Sequence, residues 1–183
     1  MKRFLIGGLM AATVASAGCS MRDDGLGPAG EPLLAGNPAT AEARTAAGVL
    51  SARATATQAG DSIRVRIEAM GMPMGTYAAH IHTTGVCTPP DFASAGGHWN
   101  PTGHQHGRNN PAGMHKGDLP NLSVGTDGRG SFEYVIPGAW VRAGSMPMLD
   151  ADGAAVVIHA QADDYRSDPA GNAGARIACG TFR

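Results

Sequence analysis

With 183 residues, 43% of them hydrophobic, and a formal charge of −1, the chain is long enough for one domain with a proper core and too short for two generous ones. The near-neutral balance lacks the basic footprint of a nucleic-acid binder, and no apolar run reaches the ~20 residues of a spanning helix. An aromatic content of 5%, with 27 Gly and 12 Pro, points to short elements joined by many turns, and hence to an all-β chain.

Met1 to Gly18 reads as an export signal: Lys2-Arg3, the apolar run Phe4 to Val14, then Ala15-Ser16-Ala17-Gly18-Cys19. Ordinary cleavage after Ala15-Ser16-Ala17 is one reading. The other is a bacterial lipobox at Ala17-Gly18-Cys19, with Ser16 in place of Leu. Of the three cysteines, Cys87 and Cys179 can pair in an oxidising compartment, which leaves Cys19 odd and makes it the expected lipidation site. Loss of residues 1–18 leaves 12 bases against 15 acids, a formal charge of −3. Residues 19–38, rich in Gly, Pro and Asp, have the composition of a flexible tether ahead of a domain at 39–183.

The domain opens with candidate strands at Thr40 to Arg44 and Ala52 to Thr57 around Ala46-Ala47-Gly48. After Gln58-Ala59-Gly60-Asp61 comes Ser62-Ile63-Arg64-Val65-Arg66-Ile67-Glu68, whose strict alternation marks a strand with one buried face. Met70, Met72 and Met74 precede a strand at Thr76 to His82, and Met146 and Met148 sit near the other end. Thioether clusters can hold Cu(I), but Met beside Gly and Pro at strand ends also suits a plug in a barrel end, and this plainer reading is preferred.

Thr83 to Asp118 shows neither helical nor strand period, yet it carries four of the seven histidines. A loop of that length in a compact domain is functional or disordered, and metal and disulfide bonds can replace the core it lacks. A hairpin is expected from Leu119 to Val124 and Ser131 to Ile136 around Asp127-Gly128. Strands at Ala154 to Ala160 and Arg176 to Phe182 close the chain. About eight antiparallel strands with long loops imply a sandwich or barrel.

His80-Ile81-His82 on a strand sends two imidazoles to one face, about 6–7 Å apart. His98, His104, His106, His115 and Asp118 follow in the loop, and His159 ends a late strand. Imidazole nitrogens with one hard carboxylate oxygen suit copper and zinc, whereas a thiolate zinc site is excluded.

Gly97-His98-Trp99-Asn100-Pro101, His115-Lys116-Gly117-Asp118-Leu119, Val156-Val157-Ile158-His159, Ala162-Asp163-Asp164 and Gly171 to Gly180 stand in one order. In these motifs the chain closely resembles the copper/zinc superoxide dismutases in their bacterial exported form, over roughly residues 39–183. The resemblance implies a Greek-key β-barrel that dismutates superoxide to oxygen and hydrogen peroxide. Redox-cycling copper would bind His80, His82, His98 and His159. Structural zinc would bind His98, His106, His115 and Asp118, so that His98 bridges the metals and His104 is an exposed extra. Asp163 would link the free ring nitrogens of His80 and His106, Cys87 and Cys179 would form a disulfide, and Arg176 would guide the anionic substrate.

Departures from the family pattern are Trp99 in place of Phe, the short Tyr165 to Ala170 loop, and Ala93 where bacterial members often carry Lys. The expected location is the bacterial envelope, anchored by lipid on Cys19 or soluble in the periplasm. The expected form is a monomer or homodimer. The competing function is a non-catalytic copper carrier that uses the methionines.

Overall fold

The computed structural model describes residues 37–183; the export signal, the tether up to residue 36 and Cys19 lie outside the described residues. Nine strands are found among these residues: β1 (Ala39–Arg44), β2 (Leu50–Ala59), β3 (Ser62–Ala69), β4 (Gly75–Tyr77), β5 (Ala79–His82), β6 (Leu122–Val124), β7 (Gly130–Pro137), β8 (Ala155–His159) and β9 (Arg176–Thr181). The one helical element among them is a single 3-10 turn at Ala93–Ala95. All ladders are antiparallel. Seven strands form one curled sheet in the order β5-β8-β9-β1-β2-β3-β7, and β4 pairs with β6. Non-consecutive neighbours such as β3 with β7 and β5 with β8 require the long crossovers of a Greek key.

The alternation read in the sequence is seen in β3, where Ile63, Val65 and Ile67 are fully buried and Arg64, Arg66 and Glu68 face solvent. Each such aliphatic side chain contributes roughly 1.5–3 kcal/mol on burial. Beside them in the sheet β2 and β1 present alanines, Ala39, Ala41, Ala43, Ala52, Ala54 and Ala56, so small residues stand next to large ones, Ala54 paired with Ile67 and Ala56 with Val65. Met72 and Met148 belong to this core and are 5% and 1% exposed, the plug role expected of them. Packed there, they cannot serve as thioether ligands of a surface copper carrier.

Two expectations are corrected. The strand at Thr76 to His82 breaks at Ala78, whose N–H donates to the Gln161 carbonyl while its own carbonyl accepts from His159 N–H. β4 therefore pairs with β6 and β5 with β8, a change of partner that turns a barrel corner. The turn at 125–129 closes through Gly125 N–H to Arg129 O, but the expected hairpin ladder does not follow. Within Leu119 to Val124 only Leu122–Val124 is strand, paired to β4, and β7 pairs with β3.

β5 and β8 are buried along their whole lengths because each packs on both faces. Ala79, Ile81, Val156 and Ile158 point into the barrel. His80, His82, Ala155, Val157 and His159 lie on the opposite face, beneath the 83–118 loop. The candidate site is built on the outer wall of the barrel, not in its interior.

Candidate metal centre

Backbone bonds at a single β5 residue lay the loop across the strand. Ile81 N–H donates to Gly117 O (2.9 Å), Trp99 N–H donates to Ile81 O (2.8 Å), and Gly117 N–H donates to Trp99 O (2.9 Å). The approach requires glycine at 117, since a Cβ there would lie 2.2 Å from the Ile81 carbonyl oxygen. Trp99 anchors the same segment by entering the core, 4% exposed. His98 is thereby brought opposite His82, and Asp118 opposite His80.

The first cluster is His80, His82, His98 and His159, with one ring nitrogen of each lying within 4.8 Å of the others. His80 Nδ1, His82 Nε2, His98 Nε2 and His159 Nε2 are buried and have no hydrogen-bond partner. A buried orphan nitrogen is costly, and four converging on one point are unexplained without a cation. The other ring nitrogens of three of these histidines fix their orientation: His80 Nε2 on Asp163 Oδ2 (2.9 Å), His82 Nδ1 on Gly96 O (2.9 Å) and His159 Nδ1 on Gly174 O (3.2 Å). An all-imidazole set suits copper.

The second cluster is His98, His106, His115 and Asp118. Asp118 Oδ1 lies 2.9, 3.0 and 3.1 Å from the Nδ1 atoms of His98, His106 and His115, and the last two-ring contact, His115 Nδ1 to His98 Nδ1, is 3.3 Å. One carboxylate oxygen has lone pairs for two donors, not three. A tetrahedron around zinc with bonds of about 2.0–2.1 Å has edges of about 3.3 Å, so these spacings fit a coordination shell. Asp118 Oδ2 is held apart by N–H bonds from Gly107 (2.9 Å) and His115 (3.0 Å), leaving Oδ1 as the donor. His98 belongs to both clusters through opposite ring nitrogens.

Asp163 joins the two. Its Oδ2 meets His80 Nε2 and its Oδ1 meets His106 Nε2, each at 2.9 Å. These three residues also group closely, but each Asp163 oxygen meets a single ring nitrogen, an ordinary pairing unlike the three that crowd Asp118 Oδ1, so the arrangement suits orienting the two rings better than holding a third metal.

Burial governs the charge state of the first cluster. Desolvation lowers His80 to about 3, His82 to about 2 and His159 to about 4, and lowers His98 as well, so all four rings are neutral ligands at neutral pH. For His106 desolvation acts downward, but the hydrogen bonds its ring donates to Asp118 and Asp163 outweigh it and raise the metal-free ring to about 9. Burial would raise both carboxyls, yet their histidine partners hold Asp118 and Asp163 below the usual carboxylate range.

Arg176 pairs with His159 across β8 and β9, and its guanidinium donates to Phe92 O (2.8 Å) and Gly96 O (2.7 Å). It lines a surface cleft with Pro90, Asp91, Ala93, Gly174 and Ala175. Cys87 and Cys179 form a disulfide with Cα atoms 5.6 Å apart, tying the 83–97 segment that supplies both carbonyls to β9. His104 is exposed and bound to Asn100 and Met114, outside both clusters.

The copper/zinc superoxide dismutase family model matches residues 47–182. The chain belongs to the copper/zinc superoxide dismutase family. A copper/zinc superoxide dismutase of Aquifex aeolicus (strain VF5) is 41% identical over 147 residues, 79% of this chain and 86% of that protein. A superoxide dismutase-like protein of Bacillus subtilis (strain 168) is 50% identical over 111 residues, where the match spans 60% of this chain and 57% of that protein's length. A crystal structure of a dismutase-like protein from Bacillus subtilis superposes with a TM-score of 0.73 at 40% identity, covering 78% of this chain and 96% of the other. Because the family includes proteins named only dismutase-like, the donor set has to carry the activity.

Sequence reasoning missed Asn121 and Tyr165. Asn121 pairs with the Asp163 main chain in both directions, Nδ2 to O at 3.0 Å and Oδ1 from N–H at 2.8 Å. Neither residue type carries a signal of its own; the role exists only once the fold brings 121 and 165 to Asp163.

Proposed function

We propose that the protein removes superoxide by dismutation, two superoxide anions and two protons giving oxygen and hydrogen peroxide. The observation that carries this reading is the four orphan nitrogens converging beside Arg176, with His98 shared by a second, carboxylate-containing donor set. His80, His82, His98 and His159 would hold copper, and His98, His106, His115 and Asp118 would hold zinc. When bound, copper supplies one-electron cycling between Cu(II) and Cu(I), while zinc, which has no redox chemistry, fixes the shared imidazole.

The chain's own residues do the rest. Arg176 is a fixed cation that draws and orients an anionic substrate at the cleft. His98 Nε2 is the atom able to hold a proton and give it to a reduced oxygen species, because its ring is kept in place through Nδ1. The buried walls from β5 and β8 exclude bulk water. Asp163 keeps the His80 and His106 rings in the tautomers that leave their Nδ1 atoms free as donors.

The disulfide supports an oxidising compartment, here the periplasm. Residues 1–18 would be removed on export, with the 39–183 domain held by the 19–38 tether from a lipid on Cys19, or released soluble if cleavage follows Ala17. A monomer suffices for the site, and a homodimer is compatible with it. Metal analysis of the purified mature protein with a superoxide-removal assay tests the reading: one copper, one zinc and activity are expected. Full zinc with no copper and no activity would make it a zinc-binding relative.

A further inference from the structure

We propose that Tyr165 is a positioning residue that clasps the 106–110 loop to Asp163, and that zinc affinity depends on this clasp. The inference rests on the assignment of zinc to His98, His106, His115 and Asp118. Tyr165 stands at φ 62, in the left-handed region where a bulky side chain is rare and strained. It is half-buried and lies outside the barrel core, so core packing does not account for it.

Four contacts do. Its N–H donates to Asp163 Oδ1 at 2.7 Å, the oxygen that also binds His106 Nε2. Its carbonyl accepts from Asn109 N–H at 3.0 Å. Its hydroxyl accepts from Asn121 N–H at 2.8 Å, and the Arg108 guanidinium lies 3.8 Å over its ring. Arg108 and Asn109 follow His106 by two and three residues, so one aromatic side chain grips the ligand loop while its own N–H steadies the carboxylate that orients the ligand. The intervening Gly107 permits the approach, since a Cβ there would lie 2.3 Å from the Tyr165 carbonyl oxygen. Removing the ring and hydroxyl leaves the Asp163 contact to the Tyr165 N–H but frees the loop from both Arg108 stacking and the Asn121 anchor.

The test uses zinc alone, titrated against a competing chelator into the metal-free, disulfide-bonded chain, for wild type, Tyr165→Phe and Tyr165→Gly. Thermal unfolding of each metal-free protein is measured in parallel, with hydrogen exchange of the His106 Nε2–H in the zinc-bound form by NMR. Glycine relieves the positive φ, so Tyr165→Gly should keep most of the metal-free stability and yet bind zinc about 10–100-fold more weakly. Tyr165→Phe keeps the stack and loses the hydroxyl acceptor, and should fall between glycine and wild type. Exchange of the His106 ring proton should quicken in both. The inference is overturned if both variants bind zinc within about twofold of wild type, or if weakening tracks lost stability with ring exchange unchanged. A wild type that binds no zinc removes the metal assignment itself, and the clasp with it; zinc-tight variants remove the clasp alone.

Discussion

Arg176 and His82 hang from the same carbonyl: Gly96 O accepts from Arg176 Nη2 at 2.7 Å and from His82 Nδ1 at 2.9 Å. The shared acceptor makes His82 Nδ1 the protonated nitrogen, so its Nε2 lone pair faces the cluster. It also fixes the guanidinium beside the donors, where its charge contributes to lowering His82 and His159. Arg176→Ala should lower the rate of superoxide removal by about tenfold or more while both metals remain bound, and Arg176→Lys should recover part of it. Loss of copper from Arg176→Ala would show that the arginine holds the site together instead of guiding substrate.

His98 presents opposite ring nitrogens to the two donor sets, whereas His104 touches neither. His98→Ala should impair both metals and abolish activity. His104→Ala should leave metal content and activity nearly unchanged. Metal analysis of the two variants checks the pair, and zinc loss in His104→Ala would move the ligand from His106 to His104.

The metal-free His106 ring is raised from an ordinary 6.5 to about 9 by Asp118 and Asp163, against the downward pull of burial. A raised folded-state value means that this ring stabilises the metal-free protein below about 6.5 and loses that contribution as pH rises through about 9. Zinc needs the neutral ring, so binding below about 9 should expel this proton, and zinc affinity should climb with pH by about tenfold per unit from this group. Calorimetry in buffers of different ionisation enthalpy measures the release. Zinc binding at pH 7 without proton release would contradict the raised value.

Residues Cys87 and Cys179 are 92 positions apart in sequence, and the bridge holds the segment whose Phe92 and Gly96 carbonyls seat Arg176. Cutting so long a loop costs up to about 4–5 kcal/mol in the chain-entropy model. Cys87→Ser should lower the unfolding midpoint and also reduce activity at full metal loading, because the guanidinium loses its seat. Unchanged activity per bound copper would separate the disulfide from Arg176.

Much of this site was legible in the sequence, for reasons that can be named. The period of two in His80-Ile81-His82 and the apolar run ending at His159 depend only on strand geometry. The alternation of β3 identified the buried face of the sheet. Choosing His106 over His104 was beyond spacing and needed the family pattern, because the decisive difference is tertiary: His106 is buried against Asp118 and Asp163, while His104 faces solvent. The strand break at Ala78 was hidden because a change of hydrogen-bonding partner leaves the apolar pattern intact. Asn121 and Tyr165 were hidden for a related reason, since a loop asparagine and a loop tyrosine become positioning groups only through contacts 42 and 44 positions away.

The cleft beside Arg176 sets the last expectation, which concerns salt. Its other lining residues are Pro90, Asp91, Ala93, Gly174 and Ala175, so the one other charge there is the carboxylate of Asp91, which opposes an incoming anion. Two cations that would be natural guides are engaged elsewhere: Lys116 Nζ donates to Pro137 O at 2.7 Å, and Arg108 lies over Tyr165. Steering of an anion by surface lysines acts at long range and is screened strongly once the Debye length falls to about 8 Å, whereas a guanidinium close to the donors acts within that length. Activity should therefore fall only weakly with rising ionic strength. Ala93→Lys adds a cation at the cleft and should raise the low-salt rate by up to about tenfold while steepening the salt dependence. Asp91→Asn should raise the low-salt rate by less, since it removes an opposing charge without adding an attracting one. Rates measured across a salt series for wild type and both variants decide the matter: a steep wild-type decline would mean that long-range cations outside this cleft already draw the substrate in.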